Sequence, residues 1–456
     1  MKNRFGIDWT KVKGSNFWSR PQLNRRVFFR HIASAVGGYF LLPGRPMETV
    51  AKAAASPIGT AKNVIFVLMS GGPSHSDTFD LKEGAWTPSF MAPTSYGDVR
   101  WPQGIMPKLG EQMDNIALLR STRAWAAVHE LSRNWIQIGR NPTSGLAKIA
   151  PHIGSVVSLE LGDGRKATMP AFVSLNITNG PDQGYLPADH APFYLGPDGN
   201  GMPRSTNPDG QAAFERRYNL LQEVDAANRT GESAIGPEVD ELASFNASAR
   251  RLMYNADVDK AFRFDQAQKN LYGNTAFGNA CIVARNLLRA KLGTRFIQIT
   301  LGGWDMHQNI YVPNAGLQAL TRTFDNGLGP LIADLRQDGL LDETLIVTMG
   351  EFGRTVGNPN GQSGRDHFLQ QAVLMAGAKI KGKKAIGKTD DMARLLVDPG
   401  WSQDREIRPE DIEATIYSAL GIDWTTVRHD DPLGRGFEYV PTNQGTQYMP
   451  IHELWS

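Results

Sequence analysis

Three short segments in the second half of the sequence carry carboxylate and imidazole side chains. Asp305 and His307 stand two residues apart, Glu351 follows in a second segment, and Asp366 and His367 are adjacent in a third. Neutral imidazole nitrogens and carboxylate oxygens are ligands of divalent metal ions, with Zn²⁺ accepting both and Mg²⁺, Ca²⁺ and Mn²⁺ favouring oxygen. These residue types therefore predict a divalent metal site.

The spacing within each segment decides which side chains can face the same ion. Asp305 and His307 can point the same way in an extended loop, because alternate residues share a side. Adjacent Asp366 and His367 need a turn to do so, and the glycine-bounded segment 361–364 can supply one. Each pair alone could be a hydrogen-bonded structural pair. Together, three such segments favour a metal or oxyanion site.

Two arginines and an upstream loop add further candidates for chemistry. Arg354 and Arg365 lie in the same segments as the acids, where a guanidinium can neutralise Glu351 or hold an anionic substrate group. Ser74 and Asp77 follow an apolar run and are candidates for a nucleophile and a metal ligand. Ordinary loop capping explains the last two nearly as well.

Ser121 and Thr122 are the alternative nucleophiles. They follow a short predicted strand, 116–119, and precede a helix-like run, so their hydroxyls would stand at a helix start that favours an anion. Serine and threonine are also common helix caps, and that interpretation is at least as good. A serine hydrolase built on Ser74 and His75 is the weakest alternative, because the Gly-x-Ser-x-Gly elbow is missing.

The elements that must position these residues follow an α/β pattern. Short apolar, β-branched runs alternate with a helical pattern at 317–335, which lies between two of the runs and predicts a parallel crossover. In such a sheet the loops after the carboxyl ends of the strands share one crevice, and the candidate residues stand in those loops. The predicted strands are 63–69, 116–119, 171–175, 295–301, 344–349 and 371–375.

The segments between the predicted strands are less regular. The Gly/Pro/Asn-rich segment 176–209 is interpreted as an excursion that faces substrate or forms a lid. Residues 212–292 predict a helical insertion, with apolar residues at spacings of three and four. The turn-rich segment 379–388 suggests a hairpin, and 412–420 a short helix.

The N-terminus has the features of an export signal. Arg25 and Arg26 precede a mildly apolar run and then small residues, as in a twin-arginine signal peptide. A basic helical arm is the other interpretation. We assign residues 1–55 to the signal and linker and 56–456 to the mature domain, and we expect periplasmic or other export in the folded state.

Composition excludes several classes of partner. Among 456 residues, 48 Lys and Arg nearly balance 46 Asp and Glu, so the net charge of +2 gives no indication of nucleic-acid binding. No apolar run approaches the ~20 residues that span a bilayer.

The lone Cys281 cannot form an internal disulfide, and the sequence does not reveal the oligomeric state.

Four motifs together resemble one known family. They are VIFVLMSGGPSHSDTFD (64–80), LGGWDMH (301–307), GEFGRT (350–355) and GRDHF (364–368). The combination resembles an uncharacterised bacterial family that is exported with twin-arginine signals and classed as sulfatase-like within the alkaline-phosphatase superfamily. The resemblance implies a doubly wound, mostly parallel sheet with helices on both faces. It also implies one or two metal ions and hydrolysis of phosphate or sulfate esters.

The resemblance also assigns roles to particular residues. Asp305, His307 and His367 look like the ligands of one metal, and Glu351 stands where the superfamily usually has an aspartate. Phe352 then occupies the place of a histidine ligand. At the end of the first strand Ser70 replaces an acid, for which Asp77 or Asp80 from the same loop could substitute. The superfamily's modified-cysteine nucleophile is disfavoured, because no cysteine lies near the expected position.

The sequence therefore predicts a metal-dependent hydrolase that acts on an anionic ester or glycan. The alternative is a non-catalytic periplasmic module that binds a glycan or protein on a degenerate hydrolase scaffold, because a fold does not determine a function.

Overall fold

A mostly parallel sheet of eight strands forms the centre of the computed structural model, in the order β12-β4-β11-β8-β1-β7-β5-β6. Every pairing in it is parallel except those of β11, which runs antiparallel to both β4 and β8. The strands are β1 (Asn63–Met69), β4 (Ile116–Arg123), β5 (Phe172–Leu175), β6 (Phe193–Leu195), β7 (Phe296–Leu301), β8 (Thr344–Met349), β11 (Gln370–Gly377) and β12 (Lys384–Ile386).

Short antiparallel pairs accompany this sheet. They are β2 (Thr94–Tyr96) with β3 (Val99–Trp101), β9 (Gly353–Arg354) with β10 (His367–Phe368), β13 (Lys388–Thr389) with β14 (Leu396–Asp398), and β15 (Val427–Arg428) with β16 (Phe437–Glu438). The structure describes residues 56–163, 167–177, 180–228, 246–442 and 445–456. The predicted export signal therefore lies outside the described residues.

The α-helices connect these strands. Those described are α1 (Pro107–Gly110), α2 (His129–Ile138), α3 (Ile153–Leu161), α4 (Gln211–Asn228), α5 (Ala256–Phe262), α6 (Gln266–Leu271), α7 (Ala276–Ala290), α8 (Gly316–Gln337) and α9 (Pro409–Ala419). Among these residues we find no helix with the length and apolar character that a membrane crossing requires.

Both faces of the sheet are covered by helices. On one face Ile65 of β1 and Ile297 of β7 are register partners and belong to a buried cluster that includes the apolar sides of α7 and α8. On the other face Phe66 stacks on Phe296, and helix α3 approaches so closely that a side chain at Gly154 would overlap the Phe296 ring. The predicted doubly wound, mostly parallel α/β architecture is confirmed.

Two local predictions are wrong. Strand β4 does not stop at residue 119 but continues to Arg123, because its end stays paired with the start of β11. Ser121 and Thr122 therefore lie within a strand and not at a helix start. The predicted hairpin at 379–388 does not form, since residues 384–386 extend the main sheet as β12, parallel to β4.

The packing of α8 on the sheet predicts a measurable loss of stability. Leu331 is fully buried in the cluster shared with β1 and β7. We expect Leu331→Ala to lower the free energy of unfolding by about 2–5 kcal/mol, because lost burial and the cavity both contribute. Denaturant unfolding measures this change. Leu395→Ala is the control, because Leu395 is 60% exposed; an equal loss in both variants would contradict the packing described here.

Candidate metal centre

Loops from five strands meet at one edge of the sheet. The carboxyl ends of β1, β4, β7 and β8 lie there, followed by the segments that contain Gly71, His129, Asp305 and Glu351. Strand β11 is antiparallel to β8, so its amino end lies at the same edge and brings His367, three residues before Gln370, into the group. One reversed strand therefore adds a ligand that a wholly parallel sheet would place elsewhere.

Three imidazole nitrogens and one carboxylate converge at this edge. The ligand atoms of the group all lie within 4.8 Å of one another. Around Asp305 Oδ1 the Nε2 atoms stand at 3.0 Å for His307, 3.3 Å for His129 and 3.6 Å for His367. The metal-centre cluster comprises His129, Asp305, His307 and His367.

Each histidine is held from behind through its other ring nitrogen. Nδ1 of His129 lies 2.8 Å from Glu351 Oε1, and Nδ1 of His307 lies 2.9 Å from Asp366 Oδ1. Nδ1 of His367 lies 2.9 Å from the carbonyl oxygen of Ala127. These three partners are acceptors, so each Nδ1 carries the proton and each Nε2 presents a lone pair. Metal-ligating histidines show this arrangement, in which an outer acceptor fixes the tautomer and the ring.

The contacts between the Nε2 atoms test whether a metal fits. Nε2 of His307 and Nε2 of His367 are 3.0 Å apart, although two lone pairs cannot hydrogen bond to each other. Nε2 of His129 is buried and has no hydrogen-bond partner. A cation among these atoms resolves both observations, and three nitrogens with one oxygen are a suitable ligand set for Zn²⁺ or a similar divalent ion.

Charge at the centre favours the metal-binding protonation states. Burial acts to raise the pKa of Asp305, but the hydrogen bond from Arg354 and its positive charge outweigh burial and keep that pKa below its usual range. The hydrogen bond with His307 lowers the pKa of Asp366. Burial lowers the pKa of His367, and the charge of Arg354 adds to that effect. The carboxylates are thus ionised and His367 is neutral near pH 7.

Arg354 and Glu351 are buried side chains that hold the cluster residues in place. The guanidinium of Arg354 donates 2.6 Å to Asp305 Oδ1 and also donates to the carbonyl oxygens of Gly71, Gly72 and Arg365. Glu351 is 1% exposed. Its Oε1 accepts hydrogen bonds from the backbone N–H of Gly71 at 2.9 Å and from Nδ1–H of His129 at 2.8 Å. Glu351 therefore supports the cluster from behind a histidine ring, whereas Arg354 touches the cluster directly, with its Nη1 also 3.3 Å from Nε2 of His307.

Glycine at two positions lets the loops approach closely. Gly71 has φ +115°, and a side chain there would come within 2.5 Å of the backbone nitrogen of Asp305. A side chain at Gly364 would come within 2.0 Å of the carbonyl carbon of His307. The turn predicted at 361–364 brings Asp366 and His367 to opposite ring nitrogens of His307.

Asp77 belongs to a separate buried network. Its carboxylate pairs with Arg365 at 2.7 Å and accepts the hydroxyls of Tyr311 and Ser74, each at 2.6 Å. Asp77 and Arg365 are 2% and 0% exposed. The remaining contact of the guanidinium with protein backbone is to the carbonyl of Thr355 at 2.7 Å. The structure thus places Ser74, Asp77 and Arg365 in a network that fixes loops beside the cluster.

The other proposed hydroxyls are also engaged in the fold. Ser121 donates to the carbonyl oxygen of Pro399 at 2.8 Å, and both Ser121 and Thr122 are fully buried on β4. His75 is buried and its Nε2 lies 2.9 Å from the carbonyl oxygen of Ala393. The hydroxyl of Ser74 is directed to Asp77 and not to His75, so the described contacts do not assemble a serine–histidine pair.

His129 is the member of the cluster that sequence reasoning missed. It is the first residue of α2 and follows the carboxyl end of β4 by a short connection. The signal that could have identified it is this strand-end position, the same signal that pointed to Asp305 and Glu351. The early predicted end of β4 obscured it.

Comparisons with known proteins place this chain in a family. The family model described as a protein of unknown function, DUF1501, matches residues 61–444. The chain belongs to the DUF1501 family. No curated protein matches the DUF1501 chain.

Several solved structures show a distant likeness to the DUF1501 chain. The PsFucS1 sulfatase from Pseudoalteromonas sp. is 13% identical over 88% of this chain and 72% of its own, with a TM-score of 0.39. A putative sulfatase from Bacteroides thetaiotaomicron is 12% identical over 87% and 76%, with a TM-score of 0.39. The phosphonate monoester hydrolase SpPMH from Silicibacter pomeroyi is 12% identical over 79% and 73%, with a TM-score of 0.34. TM-scores this low do not align single side chains, and the cluster stands on its own geometry.

The geometry predicts that His129 is as necessary for metal binding as the two histidines found from sequence. We expect His129→Ala, His307→Ala and His367→Ala each to lower the bound metal from about one ion per chain to a small fraction of that, because each removes one of four ligands. Elemental analysis of purified protein measures this. His429→Ala is the control, since His429 is exposed. Full metal content in the His129 variant would show that the cluster is wrongly assigned.

For Asp77 we predict a loss of stability without a loss of bound metal, the opposite of the result expected for the histidines. We expect Asp77→Asn to lower the free energy of unfolding by about 3–5 kcal/mol, because it leaves the buried charge of Arg365 without its partner. Metal content per folded chain should stay the same, since Asp77 is not in the cluster. Chemical denaturation and elemental analysis on one preparation measure both. Loss of metal without loss of stability would instead make Asp77 a ligand.

Proposed function

We propose that this DUF1501 protein is a metal-dependent hydrolase of phosphate or sulfate esters, with one divalent ion at His129, Asp305, His307 and His367. The observation that carries the proposal is the convergence of three imidazole lone pairs on one carboxylate, each ring fixed by an outer acceptor. The ester class follows from the resemblance of the motifs at 64–80, 301–307 and 350–368 to sulfatase-like proteins.

The ion and the residues of the cluster would have different roles in hydrolysis. A divalent metal supplies a Lewis acid that polarises the ester and lowers the pKa of water toward ~7. Asp305 is the most open member, at 48% exposure, and offers the side from which substrate can enter. Arg354 holds Asp305 from the buried side, so the carboxylate stays ionised and in place.

Contacts of the candidate nucleophiles favour water over a covalent intermediate. The hydroxyls of Ser74 and Ser121 donate to Asp77 and to the carbonyl oxygen of Pro399 within the fold. The pairing of Asp77 with Arg365, and the phenyl ring at position 352, likewise favour one ion over two. The substrate anion would then be neutralised chiefly by the metal, with Arg354 and Arg365 positioning loops.

Export is the second element of the proposal. The Arg25-Arg26 pair and the small residues that follow support export through the twin-arginine pathway, with removal of a segment near residue 55 and a periplasmic location. Fusion of residues 1–55 to a reporter that is active only after export, compared with an Arg25→Lys, Arg26→Lys variant, tests this. Equal export of both fusions would contradict it.

One observation favours a second candidate function. The polar groups that a hydrolase could aim at an ester, namely the two arginines and the serine hydroxyls, are bonded to the protein itself. A non-catalytic module that binds an acidic glycan or a protein through the metal has no need of a nucleophile. Metal binding without turnover of any ester would favour this alternative.

Activity should depend on the cluster and on the ion together. We expect the wild-type protein to hydrolyse at least one aryl phosphate or aryl sulfate ester, to lose that activity after treatment with a chelator, and to regain it with Zn²⁺ or Mn²⁺. A variant with His307→Ala and His367→Ala should remain inactive after metal addition, because two of four ligands are gone. Release of the aryl alcohol measures the rate. The His429→Ala variant should retain the wild-type rate, and equal activity of the double variant would refute the proposal.

A further inference from the structure

The segment that carries His129 is braced by one buried carboxylate on another helix. Trp125 precedes His129 by four residues and Trp135 follows it by six. The indole Nε1 of Trp125 lies 3.0 and 2.9 Å from the two oxygens of Glu410, and that of Trp135 lies 2.8 Å from Oε1. Glu410 therefore joins the connection after β4 to helix α2.

The same segment supplies two elements of the metal centre. It contains His129, whose Nε2 faces Asp305, and Ala127, whose carbonyl oxygen holds the ring of His367. Both lie between the two tryptophans that Glu410 holds. A shift of this segment would therefore displace one ligand directly and release a second ligand from its acceptor.

Other hydrogen bonds also restrain this segment, among them those from His129 Nδ1 to Glu351 and from the N–H of Ala124 to the carbonyl oxygen of Leu369, at 2.8 and 2.9 Å. Ser132 Oγ donates to the carbonyl oxygen of Ala126, and Arg408 Nη1 donates to that of Ala124. The two indole rings stack with centroids 5.8 Å apart, and Arg408 lies 4.0 Å above the Trp125 ring. Residues 125–130 are half-buried or exposed, so packing alone does not fix them.

The contacts of Glu410 are those of a hydrogen-bond acceptor. It is 3% exposed, it lies in the first turn of α9, and the described residues give it no ion pair with Lys or Arg. Burial raises its pKa to about 7, while the two indole N–H groups act to lower it. The positive end of the helix dipole also favours a carboxylate at this position.

We propose that Glu410 is a positioning residue of the metal centre, which holds Trp125 and Trp135 so that His129 and the carbonyl of Ala127 face the ion. This inference rests on the proposed metal centre. Outer residues that orient metal ligands typically contribute 10- to 100-fold to affinity, so the role is measurable by metal binding alone.

Glu410→Gln tests the proposal with little change of shape. With its oxygen at the Oε1 position the amide still accepts from both indoles, but its NH₂ then stands at the Oε2 position, where it faces the indole N–H of Trp125 and weakens the hold on that ring. We expect the dissociation constant for Zn²⁺, measured by competition with a chromogenic chelator, to rise about 10-fold or more. The absorption spectrum of the Co²⁺-loaded variant should also shift, because the ligand geometry changes.

Glu413→Gln is the matched control. Glu413 is buried one turn further along α9, bonds to Tyr417, and packs against Gly139 at the far end of α2. The Glu413→Gln substitution should lower the unfolding temperature of the metal-free protein. Its Zn²⁺ dissociation constant and Co²⁺ spectrum should be like those of the wild type.

The outcomes separate this inference from the function on which it rests. A tenfold loss in the Glu410 variant but not in the Glu413 variant supports positioning. Equal losses in both variants, or wild-type affinity in the Glu410 variant, overturn it while the metal centre stands. Absence of Zn²⁺ binding by the wild type overturns both the metal centre and the positioning role.

Discussion

The hydrogen bond at Nδ1 of each histidine is the constraint on which the centre depends. An imidazole that donates from Nδ1 has only Nε2 left to offer, so the acceptor behind the ring decides where the lone pair points. The three acceptors come from different parts of the fold: a strand-end acid, Glu351; a loop acid, Asp366; and a backbone carbonyl, that of Ala127. Because a backbone carbonyl is among them, the centre requires correct placement of main chain as well as side chains.

That placement follows from the sheet. Strands β1, β7 and β8 lie side by side, so the loops after them meet over a short distance, and glycine at position 71 allows the first loop to lie directly against the second. Arg354 then joins three of these loops, through carbonyl oxygens of Gly71, Gly72 and Arg365 and the carboxylate of Asp305. A charged side chain is buried here because every direction it faces offers an acceptor.

The sequence predicted the fold and most of the cluster, for identifiable reasons. The strands at 63–69 and 344–349 were found to the residue, because their runs are rich in apolar and β-branched residues and a glycine follows within two residues of each end. Asp305, His307 and His367 were found because residue type and strand-end position agree. His129 was missed because Arg120 to Arg123 is a polar stretch, and pairing with β11 and with Ile407, both distant in sequence, keeps it extended.

The roles of the acids around the cluster were less accessible to sequence reasoning. Asp77, Glu351 and Asp366 are the same residue types as a metal ligand, and the sequence does not show whether such a carboxylate meets an ion, an arginine or a histidine. Their actual partners come from distant positions, such as Arg365 for Asp77. Local pattern predicts which residues can do chemistry, whereas tertiary contacts decide which ones face the same point.

His129 and Asp305 come from opposite halves of the chain and meet only across the assembled sheet. No short segment of the polypeptide can therefore form the centre, and its contacts are of the long-range kind that form late in folding. An ion bound there would have affinity for the native state alone and would stabilise the whole domain by mass action. Metal binding at the centre would thus link the availability of metal outside the protein to the free energy of unfolding of the complete fold, whatever chemistry it performs.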